Sequence, residues 1–119
     1  MTDSRAAVGR RGEDIAATFL VDAGYVLIER NWRGTRGELD IVAWHGEEIV
    51  VVEVKTRTGL GFGHPAEAIT ADKLARLKRL AGQWLTEHAP RAASIRIDVL
   101  AVILDPTGAA RVEHITGIS

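Results

Sequence analysis

Between Gly37 and Arg57 the chain reads GELDIVAWHGEEIVVVEVKTR. Two apolar runs flank the polar tripeptide His45-Gly46-Glu47, which is the pattern of an antiparallel hairpin. The second run, 48–54, has no polar face, and a strand reads that way when both of its faces are covered. The run at 97–104, within SIRIDVLAVIL, has the same property. Between these runs, Leu74, Leu77, Ala81, Trp84 and Leu85 repeat at three and four residues, the spacing of a helix over 71–88. Such a chain folds as a layered α/β domain with a central sheet. Yet Asp40, Glu53 and Lys55 stand inside strands that the same pattern buries.

The remaining elements follow from local signals. Residues 4–23 read as a helix capped by Ser4, with Ile15, Ala16, Phe19, Leu20 and Ala23 at helical spacing. Gly9 and Gly12 weaken its first turns, so a later start is expected. Residues 25–32 alternate as a half-exposed strand. Residues 38–44 and 48–55 are the hairpin strands, Thr70 can cap the second helix and Pro90 ends it. A strand at 94–104, a turn at Asp105-Pro106-Thr107-Gly108 and a last strand at 109–116 complete the order αβββαββ. Short links make the first three strands antiparallel. The second helix is a crossover, so the fourth strand runs parallel to the third. The expected fold class is therefore a mixed β-sheet flanked by helices, in one domain over residues 1–119.

Composition narrows the chemistry. The 119 residues contain no cysteine, which excludes disulfides and thiolate metal sites. His45, His64, His88 and His114 show no metal-ligand spacing, so a zinc site is not expected. No apolar signal core opens the chain and no apolar run approaches 18 residues. The expectation is a cytoplasmic protein with no membrane partner. Net charge is −1, so a nucleic-acid surface requires local clustering of the 15 Lys and Arg.

Glu53 and Lys55, two apart, share a face of their strand. If the hairpin loop spans His45 to Glu48, Trp44 pairs with Ile49 and Asp40 falls across from Glu53. Facing Cβ atoms lie about 5 Å apart. Two carboxylates so close repel unless one keeps a proton or a cation lies between them. A loop one residue shorter would break the pairing. One reading is a structural ion cluster with Lys55 reaching for solvent. The other is a hard divalent cation, Mg²⁺ or Mn²⁺, on Asp40 and Glu53, with Lys55 facing an anionic substrate. Two acids, a metal and a lysine suit hydrolysis of a phosphodiester.

These residues resemble a known pattern. Asp40, followed by Glu53-Val54-Lys55 at a hairpin end within this element order, is similar to the PD-(D/E)XK nuclease superfamily and its restriction-endonuclease-like fold. More closely, the chain resembles the YraN family of small bacterial endonuclease-like proteins; archaeal Holliday-junction resolvases are more distantly similar. The matching stretches are Gly12-Glu13, Gly24-Tyr25, Arg30-Asn31-Trp32-Arg33, Gly37-Glu38-Leu39-Asp40, Val52 to Lys55 with Arg57, Phe62-Gly63 and Lys73. Leu39 stands where the superfamily often has proline. The resemblance implies a Mg²⁺-dependent endonuclease acting on DNA, including branched or flapped forms. Asp40, Glu53 and the Val54 carbonyl would hold the metal, and Lys55 would orient water or stabilise the transition state. Glu13 matches a first-helix acid that approaches the metal. The alternative is an inactive nucleic-acid-binding or protein-interaction module with the same fold.

Other features fit either reading. Lys73, Arg76, Lys78 and Arg79 give the second helix a basic band, and Arg30, Arg33 and Arg36 lead into the Asp40 strand. With Arg57, the residues Arg30, Arg33, Arg36, Lys73 and Arg76 are the candidate phosphate contacts. Trp32 is a candidate for base stacking, although Trp32, Trp44 and Trp84 read most simply as core residues. Gly59, Gly61 and Gly63 around Phe62 read most simply as a mobile loop, with a flap that orders on substrate as the alternative. Asp98 is expected to pair with Arg96 or a neighbour. DNA is the expected partner, and a second copy of the chain is a candidate one.

Overall fold

A computed structural model describes residues 4–58, 69–92 and 94–118. Helix α1 (Arg5–Asp22) starts where Ser4 Oγ accepts the Ala7 N–H at 3.1 Å. Three strands follow, β1 (Val26–Gly34), β2 (Gly37–His45) and β3 (Glu48–Thr58). Helix α2 (Ala71–His88) is capped by Thr70 and stops at Ala89, whose φ of 43° is left-handed; Pro90 comes next. Strands β4 (Ser94–Leu104) and β5 (Ala110–Ile115) close the sheet. Element order and the bounds of α2 and β4 are those expected. Strand β3 runs three residues past Lys55.

The sheet order is β1-β2-β3-β4-β5, with only β3 and β4 parallel. Helix α1 covers one face, where Ala16 and Leu20 meet Ile41, Val50, Val52 and Leu100. Helix α2 covers the other, where Leu77, Leu80 and Trp84 meet Leu39, Val42, Val51 and Ile97. This double cover is why 49–52 is wholly buried.

Two local expectations are corrected. The hairpin loop is two residues, Gly46-Glu47, because His45 and Glu48 also pair. The loop shortens by one residue on each side, so Trp44 still pairs with Ile49 and parity is kept. Helix α1 also begins at Arg5, ahead of both glycines, not after them. Gly12 has a use there that propensity does not see. A Cβ on Gly12 would collide with the Thr56 side chain, so the missing side chain lets α1 lie directly on β3.

Candidate active site

The β2–β3 ladder ends with Ile41 opposite Val52. One step further, Asp40 stands across from Glu53. No backbone rung forms there; Asp40 Oδ2 accepts the Val54 N–H at 2.9 Å. A short carboxylate competing for a backbone donor parts the strands. In a strand, a residue's N–H and C=O point to the same edge. Since the Val54 N–H faces β2, the Val54 carbonyl faces the same opening fork.

Glu53 is half-buried, and its pKa is pushed up to about 7. Burial is the largest cause, followed by the Asp40 charge and a hydrogen bond between the two carboxyl groups. Lys55 and Arg76 pull the other way and do not cancel these effects. Glu13 on α1 is half-buried and raised as well, by burial first and then by Asp40, with Arg30 opposing. Asp40 is thus the acid common to both. The expected register and meeting of Asp40 and Glu53 are present, with Lys55 and Arg76 near enough to act on Glu53.

Two carboxyl groups in hydrogen-bonding contact, incompletely neutralised and beside an unpaired strand edge, suit a hard cation with oxygen ligands. Among the described residues, no group of three or more His, Cys, Asp or Glu side chains is arranged to hold a metal. The groups at this fork that could hold a cation are the Asp40 and Glu53 carboxyl groups and the Val54 carbonyl.

The cationic residues do not form one patch. Arg30 turns to α1 and pairs with Asp14 at 2.8 Å, whereas Arg76 belongs to α2 on the opposite face. Arg33 is 86% exposed, with Glu38 only at 3.9 Å. Arg36 and Arg57 are exposed, and Lys73 lies half-buried in the first turn of α2. Arg79, part of the expected band, donates to the Thr35 carbonyl at 2.8 Å. Trp84 is buried, while Trp32 and Trp44 pack partly buried against the α2 core. Trp32 also makes a T-shaped contact with His88, ring centroids 6.2 Å apart. Phe62, Gly63 and the suggested flap lie outside the described residues.

A second polar cluster centres on Asp98 of β4, which pairs with Val52, the residue before Glu53. Asp98, fully buried, accepts from Arg96 Nε at 2.8 Å, His114 Nε2 at 2.7 Å and the Gly117 N–H at 2.9 Å. Arg96 also reaches Glu48 at 3.0 Å and Tyr25 Oη at 2.6 Å. The sequence pointed to Arg96; His114 and Gly117 arrive only through the β4–β5 pairing. Sequence reasoning also missed a contact between Thr35 and Gln83, 48 residues apart, for which the sequence carries no signal.

Residues 12–102 match the model of the uncharacterised protein family UPF0102. The chain belongs to the UPF0102 family. A UPF0102 protein of Beutenbergia cavernae is 55% identical, over 94% of this chain and 95% of its own length. One from Clavibacter michiganensis is 52% identical, over 89% and 90%. The UPF0102 protein SCO5602 of Streptomyces coelicolor is 49% identical, over 98% and 92%. The matched span of this UPF0102 member holds Glu13, Asp40, Glu53, Val54 and Lys55 together. Among its described residues, no helix is long and apolar enough to cross a membrane.

Proposed function

We propose that this chain is a divalent-cation-dependent endonuclease of the PD-(D/E)XK superfamily, with a restriction-endonuclease-like fold, acting on DNA phosphodiesters. The observation that carries the reading is the Asp40–Glu53 contact at the end of the β2–β3 ladder. Two acids are held against each other on paired strands, and burial together with the Asp40 charge raises the Glu53 pKa despite Lys55 and Arg76. Asp40, Glu53 and the Val54 carbonyl would hold Mg²⁺ or Mn²⁺. A cation bound there supplies acidification of a water and neutralisation of charge on phosphoryl oxygens. Burial and the neighbouring Asp40 charge favour the protonated form of Glu53, and a bound cation would favour the ionised one. Lys55, on the same face of β3, holds the scissile phosphate or orients the attacking water through its ammonium. Glu13 approaches Asp40 from α1 and adds negative potential beside it.

The test is incubation of the purified protein with duplex, single-stranded, flapped and four-way DNA, with and without Mg²⁺ or Mn²⁺. Metal-dependent cleavage that is lost in Glu53→Gln and Lys55→Met supports the reading. DNA binding without turnover on every structure identifies the inactive module instead.

A further inference from the structure

The β1–β2 turn lies at the surface, where turns are ordinarily loose. Here it is held at three points by α2. Gln83 Oε1 accepts the Thr35 N–H at 2.9 Å, Gln83 Nε2 donates to Thr35 Oγ1 at 2.9 Å, and Arg79 takes the Thr35 carbonyl at 2.8 Å. Every polar group of Thr35 is thereby engaged by two side chains. The backbone around it is constrained too. Arg36 has a φ of 61° and Asn31 one of 53°, left-handed values uncommon outside glycine. A Cβ on Gly34 would lie 2.6 Å from both Gln83 Oε1 and the Trp32 ring, so the turn packs closely against both.

Strain kept in an exposed loop points to function. The turn presents Arg36, which is exposed and makes no ion pair or hydrogen bond among the described residues. The next residue, Gly37, lies under Arg76: a Cβ there would be 3.7 Å from Arg76 Cδ. Arg76 in turn acts on Glu53. Asp40 follows Gly37 by three residues, about 10 Å of strand. A continuous path thus runs from Arg36 past Arg76 to the acid pair on the α2 side. On the α1 side, Arg30 is already paired with Asp14.

We infer that the β1–β2 turn is a preset phosphate-contacting arm, in which Gln83 and Arg79 are positioning residues that fix Thr35 so that Arg36 meets the nucleic-acid backbone beside the acid pair. The inference rests on the nucleic-acid reading above and adds which side of the sheet the backbone follows. Holding the arm in advance removes an ordering cost from binding.

The test is a double-mutant cycle on the full chain with Gln83→Met and Arg36→Gln. Affinity for labelled duplex and four-way DNA is measured over a range of salt without divalent cation, and exchange of the Thr35 amide is followed in parallel. Gln83→Met should free the Thr35 amide, leave the melting temperature nearly unchanged and weaken binding about fivefold to tenfold. Arg36→Gln should weaken binding similarly and lower the salt slope by roughly 1. The double variant should bind no worse than Arg36→Gln alone. Arg79→Gln should repeat the Gln83→Met result by an independent route. A freed Thr35 amide with unchanged affinity, or losses that multiply in the double variant, would overturn the inference while leaving the nuclease reading intact. A wild-type protein that binds none of these DNAs would overturn both, and the protected amide would then mark a purely structural clamp.

Discussion

Two acids on neighbouring strands, Asp98 fully buried and Glu53 half-buried, meet opposite fates. Asp98 on β4 is met by a guanidinium, an imidazole and a backbone N–H. Burial alone would raise its pKa, but the bonds from His114, Arg96 and Gly117 outweigh it and hold the carboxyl below its usual range. Glu53 on β3 is met by burial and by another carboxyl, and its pKa rises to about 7. The fold could compensate an acid fully and did so at Asp98. At Glu53 it left the repulsion standing, with Lys55 and Arg76 close but insufficient. A domain only marginally stable overall tolerates such a conflict where function uses it.

The largest effect is expected at Asp98. Asp98→Ala would leave Arg96 and the Gly117 N–H without their buried partner and should destabilise the protein by about 3–5 kcal/mol, read by chemical denaturation. A small loss would mean that the β4–β5 knot is not a stabilising network.

Gly12→Ala comes next. The new methyl meets Thr56, so α1 must lift from β3, at a cost of about 1–3 kcal/mol. Because Glu13 moves with it, cleavage should fall by more than the stability loss explains. Equal activity per folded molecule would remove Glu13 and the close helix contact from the site.

Glu53→Gln should have the opposite sign. The folded-state pKa of about 7 lies above the ordinary 4.5, so folding binds a proton between those values. Stability is therefore fully present at acid pH and declines as pH rises from about 4.5 through 7. At pH 8 the glutamine variant should melt higher by on the order of 5 °C, with a flatter pH profile. It should also lose the increase in melting temperature that Mg²⁺ or Mn²⁺ gives the wild type. A variant that melts lower than wild type at pH 8 would show that Glu53 is compensated after all.

The smallest effect is expected at the exposed Arg30–Asp14 pair. Arg30→Gln should change stability by less than about 1 kcal/mol, since solvent screens that pair. If Arg30 contributes to DNA binding, that will appear in the salt dependence of affinity and not in the melting temperature.

Much of this was legible along the chain. The unbroken apolar runs at 48–54 and 97–104 required cover on both faces, and one amphipathic helix between them required a crossover. The hairpin pattern around Gly46 was enough to bring Asp40 across from Glu53, because pairing one residue tighter on both strands leaves the register unchanged. Local periodicity and turn chemistry act over a few residues, and they determine elements, their order and near-neighbour pairs.

What they do not determine is which charge finds a partner. His114 and Gly117 reach Asp98 because β5 pairs with β4, and Arg30 is claimed by Asp14 because α1 lies on that face. Arg79 and Gln83 turn to Thr35 because α2 crosses the β1–β2 turn. Along the chain alone, a layered α/β domain with an acid pair and a lysine on one hairpin is legible. That Asp98 is compensated and Glu53 left in conflict comes from three-dimensional packing, because burial and long-range neighbours set an electrostatic balance that strand periodicity does not carry.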